Sequence, residues 1–318
     1  NEAAFIEGSL RAILDQDYPA ERLEVLVVDG MSDDGTREVI RRVAEVDGRV
    51  RLIDNPKRII PAALNAGLVS ARHAYVARMD GHTLVPPDYL RRCVEVMHQS
   101  GADCVGGRWV YAGTTYVGRA IAAAMDARFG VGTSRWRGAR MAGEADTVPY
   151  GFMRRDQALA LGGYNELLLT NEDYEFNYRL RRSGGRIYYS PEICMTYYVR
   201  SSLKALWRQY FRYGMWKARM LQLHPESLRL RHVLAPLFVL GLLGGVMLAP
   251  VWRIGRWVYG TALGLYSLLV LVFSARQAAR HGWRLLPVIA AAFATLHLGW
   301  GAGFLSGVWR WWLRKEDA

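Results

Sequence analysis

Cysteine is scarce in this chain of 318 residues. The three cysteines, Cys93, Cys104 and Cys194, are odd in number and form no Cys-x-x-Cys pair. This argues against a disulfide framework or a zinc site and favours reduced thiols. The sequence also lacks internal repeats, low-complexity segments and any RNA- or DNA-binding signature, so no nucleic-acid partner is expected.

Acidic residues are scarce in the last part of the chain. Residues 229–318 contain ten Lys/Arg but only two Asp/Glu, so most of the net charge of +12 lies there. The same part is dominated by apolar runs, whereas residues 1–228 have the mixed composition of a globular domain. A basic excess beside apolar runs is typical of a membrane protein that meets anionic lipid head groups.

Three apolar stretches, 233–252, 257–274 and 285–308, approach the roughly 20 residues that cross a bilayer as a helix. Tryptophans at their ends fit an aromatic belt: Trp252, Trp257, Trp283, Trp309, Trp311 and Trp312. Between the second and third stretches, Arg276, Arg280 and Arg284 favour a cytoplasmic loop. Two crossings separate that loop from the globular part, which is therefore also expected in the cytoplasm.

The orientation of the last stretch stays open in the sequence. Positive charges follow it at Arg310, Arg314 and Lys315, which conflicts with a third simple crossing. A re-entrant or tilted segment is the alternative, and we expect its glycines to loosen it: Gly299, Gly301 and Gly303.

The segment 200–222 contains no acidic residue. Lys204, Arg208 and Arg212 recur every four residues on one predicted helical face, and aromatic residues such as Trp207 and Tyr210 lie on another. Such a basic amphipathic helix fits one that lies in the membrane interface. An ordinary surface helix packed on a core is the alternative.

Strands alternate with helices in the first half of the chain. Apolar, β-branched runs at 24–28, 50–53, 75–79 and 103–111 are separated by helical patterns at 35–46, 61–70 and 87–99. This alternation predicts an α/β fold with a mostly parallel sheet. We expect three regions: 1–199, 200–228 and 229–318. A helical pattern at 3–15 would normally follow a strand, so we expect a first strand upstream of this numbering.

Two of the strand patterns end abruptly in a carboxylate. Asp29 follows Val27 and Val28, and Asp80 follows Met79. Ligands of open α/β sheets collect just past the carboxyl ends of the strands. The pair therefore predicts a nucleotide site with a divalent metal, although acidic residues here could instead cap the following helices.

These motifs resemble those of inverting family 2 glycosyltransferases of the GT-A (Rossmann-like) fold. The shared segments occur in order: Asn1-Glu2, Val-Val-Asp-Gly-x-Ser-x-Asp-Gly-Thr ending at Thr36, Asn65-Ala66-Gly67, Met-Asp-Gly-His ending at His82, and Glu172-Asp173. The sequence is also similar to bacterial succinoglycan-type, membrane-anchored glucosyltransferases in having His82 in place of a second Asp and a Tyr-Gly-x-x-Arg-Arg segment from Tyr150.

The resemblance implies a UDP-sugar donor. Glu2 and Asp29 would flank the base and ribose, with Arg58 on a loop near that edge. Asp80 would contact the ribose or diphosphate, and His82 would ligate the metal. An imidazole ligand suits Mn²⁺ better than Mg²⁺, although either ion is possible. Such a cation would act as a Lewis acid on the leaving diphosphate.

The resemblance also implies an acceptor side. Asp173, in the Glu172-Asp173 pair at the start of a predicted helix from Glu172 to Arg182, matches the family's general base. Tyr150 and Gly151 would border the sugar and the acceptor. The segment Gln209-x-x-Arg212-Tyr213 is similar to the Gln-x-x-Arg-Trp motif of processive synthases, with Tyr in place of Trp.

These expectations predict transfer of one hexose, glucose for preference, to a polyprenyl-diphosphate-linked saccharide in exopolysaccharide biosynthesis. The protein would be a multi-pass protein of the bacterial inner membrane that contacts lipid, and oligomers are possible. Two enzymatic alternatives stay open, a processive polysaccharide synthase and a polyprenyl-phosphate sugar synthase. The non-enzymatic alternative is a membrane protein that only senses nucleotides.

Overall fold

The computed structural model describes residues 1–132, 141–248 and 253–314. The chain divides into two units, of which the first comprises Asn1–Val110 with Ser134–Tyr198 and the second Tyr111–Thr133 with Val199–Ala318. The three-region division expected from the sequence stays a prediction. Trp252, Lys315 and residues 133–140 of the Gly/Arg-rich stretch 130–145 lie outside the described residues.

Twelve α-helices are present in the described residues: α1 Ile6–Leu14, α2 Thr36–Val46, α3 Ile60–Ser70, α4 Tyr89–Ser100, α5 Tyr116–Asp126, α6 Arg128–Val131, α7 Arg155–Ala160, α8 Glu172–Arg182, α9 Leu203–Leu223, α10 Leu234–Leu248, α11 Arg253–His281 and α12 Leu286–Gly307. Seven strands are described as well: β1 Val25–Asp29, β2 Val50–Asp54, β3 Tyr75–Ala77, β4 Cys104–Ala112, β5 Gly143–Glu144, β6 Phe152–Arg154 and β7 Ile187–Tyr198. A π-helical turn, Val308–Leu313, follows α12.

The strands of the first unit form two sheets. Strands β1 and β2 pair in parallel, with Asp29 opposite Asp54, and the second sheet has the order β3-β6-β4-β7-β5. Strand β6 runs antiparallel to both β3 and β4, so those two share one direction. The second sheet is therefore mixed rather than mostly parallel.

The antiparallel pairing of β3 with β6 determines which loop residues lie together at one edge of the second sheet. Ala77, the last residue of β3, lies opposite Phe152, the first residue of β6. Residues just after β3 therefore lie beside residues just before β6, which brings Asp80 to Tyr150.

Two strands of the second sheet depart from the sequence pattern. Residues 146–153 are compatible with a strand, but the strand observed there, β6, begins only at Phe152, because Pro149 offers no N–H to a ladder. The long strand β7 was not predicted, since Pro191 and Glu192 interrupt its apolar pattern. The helices of the first unit lie within a few residues of their predicted bounds.

One core cluster of the first unit lies between α4 and the second sheet. Tyr89 and Cys93 of α4 are buried against Phe152 of β6 and Ile193 of β7. Gly107 of β4 makes close approach possible, because an added Cβ would overlap the backbone carbonyl of Ile193. Strands β4 and β7 are thus closely packed at the centre of the mixed sheet.

Glycines make the contact between α9 and α12 in the second unit. A Cβ on Gly303 would overlap the carbonyl oxygen of Phe211, and one on Gly307 would lie 2.5 Å from that of Met215. Gly214 makes the same kind of contact from α9, against Trp300. Helix α12 continues through Gly299, Gly301 and Gly303, so the expectation that these residues loosen the segment is wrong, and close packing is their physical role.

Two described helices are long and apolar enough to cross a membrane, Arg253–His281 and Trp283–Leu313. The apolar window of the first is 11% buried and that of the second is 44% buried. The remaining predicted span forms α10, which is a shorter apolar helix of 15 residues. The core helix of a soluble protein can have the same length and composition.

Helix α9 shows two faces. Leu206, Tyr210 and Met220 are buried. The basic residues Lys204, Arg208 and Arg212 are exposed on the other side. The helix is therefore amphipathic, packed on one face and charged on the other, and its location in the membrane interface stays a prediction.

Candidate active site

Asp80 lies at the edge defined by β3 and β6. Its Oδ2 accepts a hydrogen bond of 2.5 Å from the hydroxyl of Tyr150. Tyr150 is buried and has φ of 47°, a left-handed conformation that non-glycine residues seldom adopt. Burial, together with the charge of Asp80, raises the pKa of this hydroxyl well above its ordinary value, so it stays a donor.

Gly151 follows Tyr150 for a steric reason. A Cβ at this position would lie 2.7 Å from the Sγ of the buried Cys104. The glycine therefore lets the loop enter β6 while Tyr150 is directed to Asp80. Trp109 packs against the Tyr150 ring in a tilted arrangement, at a centroid distance of 5.5 Å.

Arg78 joins this edge to α8. Its Nη1 donates to Oε1 of Glu172 at 2.8 Å, and its Nη2 lies 3.5 Å from Oδ1 of Asp80. The guanidinium also lies over the Tyr150 ring, 5.5 Å from its centroid. Burial lowers the pKa of Arg78, but Asp80, Glu172 and Asp173 outweigh that effect and raise it well above its ordinary value.

Arg78 was not predicted as a site residue. A signal was nevertheless present, since a cation stands two residues before Asp80 in an otherwise apolar run. Residues i and i+2 of an extended segment share one face, so this spacing favours Arg78 and Asp80 on the same side.

The Glu172-Asp173 pair begins α8, as predicted. Asn171, just before it, has φ of 67°, so the helix starts from a left-handed residue. Glu172 is buried, whereas Asp173 is half-buried and accepts from the Tyr174 N–H at 2.7 Å. Burial raises the pKa of Glu172 to about 7, with Arg78 acting against the shift and Asp173 adding to it. The two acids therefore differ, and Asp173 is the more accessible.

Glu2 and His82 meet beside Asp80. The Nδ1 of His82 lies 3.0 Å from Oε1 of Glu2. Gly81 permits this approach, since a Cβ there would be 3.1 Å from Cγ of Glu2. The backbone N–H of Glu2 in turn donates to Oγ1 of Thr36 at 2.7 Å, which ties the N-terminal segment to the start of α2.

Asp29 is held by its own loop. It accepts from the N–H and the hydroxyl of Ser32, at 2.8 and 2.6 Å, and from Arg37 at 2.9 Å. Arg37 also pairs with Asp54 at 2.7 Å, across the parallel strands. Burial by itself raises the pKa of Asp29, but the hydrogen bonds from Ser32 and Arg37 outweigh it and hold that pKa below its ordinary value.

A continuous run of contacts links most of the predicted donor residues. The backbone nitrogen of Asn1 lies 3.0 Å from the Ser32 hydroxyl, so the Asp29 loop is connected through Glu2 to His82. Arg58, which has φ of 56°, lies beside the same loop, 3.8 Å from the Cβ position of Gly30. From Asp80 the contacts continue to Tyr150, Arg78 and Glu172.

Three predicted acceptor residues belong to the second unit. Gln209 is buried and its Nε2 donates to the hydroxyl of Tyr213 at 2.9 Å, one turn along α9. Arg212 is exposed. Their role in acceptor binding stays a prediction.

The carboxylate of Asp80 and the imidazole of His82 fit the ligands of a divalent cation that is bound by a phosphate group as well. Among the described residues, no cluster of three or more His, Cys, Asp or Glu could form a complete protein cage. Cations that bind nucleotides often take only one or two protein ligands and complete their shell with phosphate and water. The contact of His82 with Glu2 resembles the carboxylate that orients many metal-binding imidazoles.

Residues 1–159 match the family model described as glycosyl transferase family 2. The chain is also 35% identical over 306 residues to succinoglycan biosynthesis protein ExoA of Rhizobium meliloti (strain 1021), covering 96% of this chain and 91% of that protein. The chain belongs to glycosyl transferase family 2. The resemblance inferred from its motifs is thereby confirmed, and the protein is a family 2 glycosyltransferase.

Solved structures show the same fold. A mannosyltransferase, PcManGT from Pyrobaculum calidifontis in complex with GDP-Man and Mn²⁺, has a TM-score of 0.60 at 19% identity, covering 97% of this chain and 84% of that one. TarS 1-349 of S. aureus in complex with UDP-GlcNAc has a TM-score of 0.52 at 14% identity, covering 96% and 88%. The predicted GT-A fold, with apolar C-terminal helices, is confirmed.

Proposed function

We propose that this family 2 glycosyltransferase moves one hexose, glucose for preference, from a UDP-sugar to a lipid-linked saccharide, with inversion at the anomeric carbon. The observation that carries the proposal is Arg78, a largely buried arginine that joins Asp80, at the predicted donor edge, to Glu172 of the Glu172-Asp173 pair. The similarity to a succinoglycan biosynthesis protein supports exopolysaccharide synthesis as the setting.

On the donor side, Glu2, Asp29 and Arg58 would border the base and ribose. Asp29 already accepts three hydrogen bonds, so it would act mainly by shaping the loop that receives the nucleoside. Asp80 and His82 would hold Mn²⁺ or Mg²⁺ together with the diphosphate. When bound, such a cation supplies positive charge to the diphosphate as it leaves.

On the acceptor side, Asp173 would take the proton of the attacking hydroxyl. The oxygen then forms a bond to the anomeric carbon as the bond from that carbon to the diphosphate breaks, and UDP leaves. Asp173 suits this role better than Glu172, because Asp173 is half-buried while Glu172 is enclosed and bound to Arg78. Tyr150 and Gly151 would border the sugar.

The second unit would bring the reaction to the membrane. Its two long apolar helices and the exposed basic face of α9 support a multi-pass protein of the bacterial inner membrane with a cytoplasmic catalytic domain. Gln209, Arg212 and Tyr213 on α9 would contact a polyprenyl-diphosphate-linked acceptor, and the arginine would meet its diphosphate.

The test is incubation of membranes that contain the protein with a panel of radiolabelled nucleotide sugars. We expect label from one UDP-sugar in the lipid-extractable fraction, as one added hexose per acceptor, and none with Asp173→Asn. Label in long polymer would indicate a processive synthase, and label on polyprenyl phosphate itself would indicate a polyprenyl-phosphate sugar synthase. UDP binding without any transfer would leave a nucleotide sensor and overturn the proposal.

A further inference from the structure

Arg78 is a largely buried cation that belongs neither to β3 nor to the Met-Asp-Gly-His motif that follows it. It follows the last residue of β3, and its side chain is only 10% exposed. Buried cations are costly unless they are paired and hydrogen-bonded. Arg78 is paired with two carboxylates that are far apart in the chain, Asp80 of its own loop and Glu172 of α8, while its Nε is buried without a hydrogen-bond partner.

The planar guanidinium of Arg78 ties the position of Asp80 to that of Glu172. Arginine presents donors in a fixed fork, so an atom moved at one end of the fork changes what the other end can reach. Here one nitrogen points to Glu172 and the other to Asp80, while the Tyr150 ring lies beneath the plane. Asp80 is also the carboxylate that receives the Tyr150 hydroxyl.

More negative than positive charges surround Arg78. Asp80, Glu172 and Asp173 all act on this one cation. A positive charge bound at Asp80 would compete with Arg78 for that carboxylate and leave the guanidinium more fully to Glu172. The residue after Glu172 is Asp173, so a change at Asp80 reaches the first turn of α8 through one side chain.

We propose that Arg78 is a positioning residue that couples the donor carboxylate Asp80 to the end of α8 that carries Asp173, by holding Asp80 and Glu172 on one guanidinium. The inference rests on the proposed function. In this role, Arg78 contacts neither the UDP-sugar nor the lipid-linked acceptor. Its role is to set the base against the donor sugar, so that proton removal and departure of the diphosphate occur in one arrangement.

The test is a double-mutant cycle in the full chain with Arg78→Lys, Glu172→Gln and both together. We expect Arg78→Lys to weaken the affinity for UDP with Mn²⁺ and to lower kcat by about tenfold to a hundredfold, the effect of small misplacements of reacting groups. Glu172→Gln should lower kcat by about tenfold and leave UDP affinity within about threefold. The double variant should fall no further than Arg78→Lys, because both changes break one link.

Arg72→Ala is the matched control. This arginine lies six residues earlier on an exposed stretch, and its replacement should leave kcat and UDP affinity unchanged. Melting curves of each variant separate loss of fold from loss of coupling. If Arg78→Lys does not fold, Glu172→Gln alone still tests the inference, because a normal kcat in that variant overturns it.

The inference is also overturned if Arg78→Lys retains kcat, or if the two effects multiply in the double variant. Failure of the proposed function looks different, since the unaltered protein would then transfer no sugar from any UDP-sugar although it binds UDP.

Discussion

Replacement of Glu172 by Gln should remove a pH-dependent loss of stability. Burial raises the pKa of Glu172 from 4.5 to about 7, so the folded protein favours the protonated acid. For a group with a raised pKa, the contribution to stability is complete below the unfolded value and is lost as the pH rises through the folded value. The loss for Glu172 therefore falls between about pH 4.5 and pH 7 and is complete above it.

The size of the effect follows from the shift. One pKa unit corresponds to about 1.4 kcal/mol, so a change from 4.5 to about 7 corresponds to about 3 kcal/mol. Gln resembles the protonated acid in shape and charge. The variant and the unaltered protein should therefore have similar unfolding free energies near pH 5, and the variant should be more stable near pH 8.5.

The assay is thermal unfolding of the full chain in detergent, followed by tryptophan fluorescence across this pH range. A difference of about 3 kcal/mol should raise the Tm of the variant by roughly 5–10 °C at the alkaline end. Comparison of the two proteins at each pH cancels the titration of other groups. Parallel curves, with the same difference in Tm at pH 5 and pH 8.5, would refute a buried acid that titrates near neutrality.

Three further changes test other parts of the structure. Gly303→Leu should lower Tm by forcing α9 and α12 apart, at a cost of about 1–3 kcal/mol or more, whereas Gly264→Leu, with nothing within 4 Å, should not; equal effects would contradict the glycine contact. His82→Ala should raise the Mn²⁺ concentration needed for half-maximal transfer, and an unchanged requirement would remove it from the ligands. Arg37→Met should lower the urea midpoint at pH 7, with the difference shrinking as pH falls and Asp29 becomes protonated; a pH-independent difference would contradict the ion pair.

Local signals predicted much of the first unit. Helix α8 was predicted with its observed bounds, because an acidic first turn at Glu172 and Asp173 opens it and Gly184-Gly185 follows its end. The carboxylates Asp29 and Asp80 were recognised from the abrupt end of apolar strands. These features depend on neighbours in sequence, which periodicity and capping describe well.

The contacts of the site depend on residues far apart in the chain. Arg78 finds Glu172 across 94 positions, and Tyr150 reaches Asp80 across 70. Only the antiparallel entry of β6 brings Tyr150 to that edge, and the interrupted pattern of β7 hid the mixed character of the sheet. Residues 111–133 group with the C-terminal helices, a division that no local pattern indicated.

The most direct test of the account is Asp173→Asn in the full chain, with sugar transfer and UDP binding measured on the same preparation. Transfer to the lipid fraction should fall by about 10²–10⁴-fold, as expected for loss of a general base, while UDP affinity changes by no more than a few-fold. Transfer at the normal rate would contradict a base at this position. Loss of transfer and UDP binding together would instead assign Asp173 a structural role.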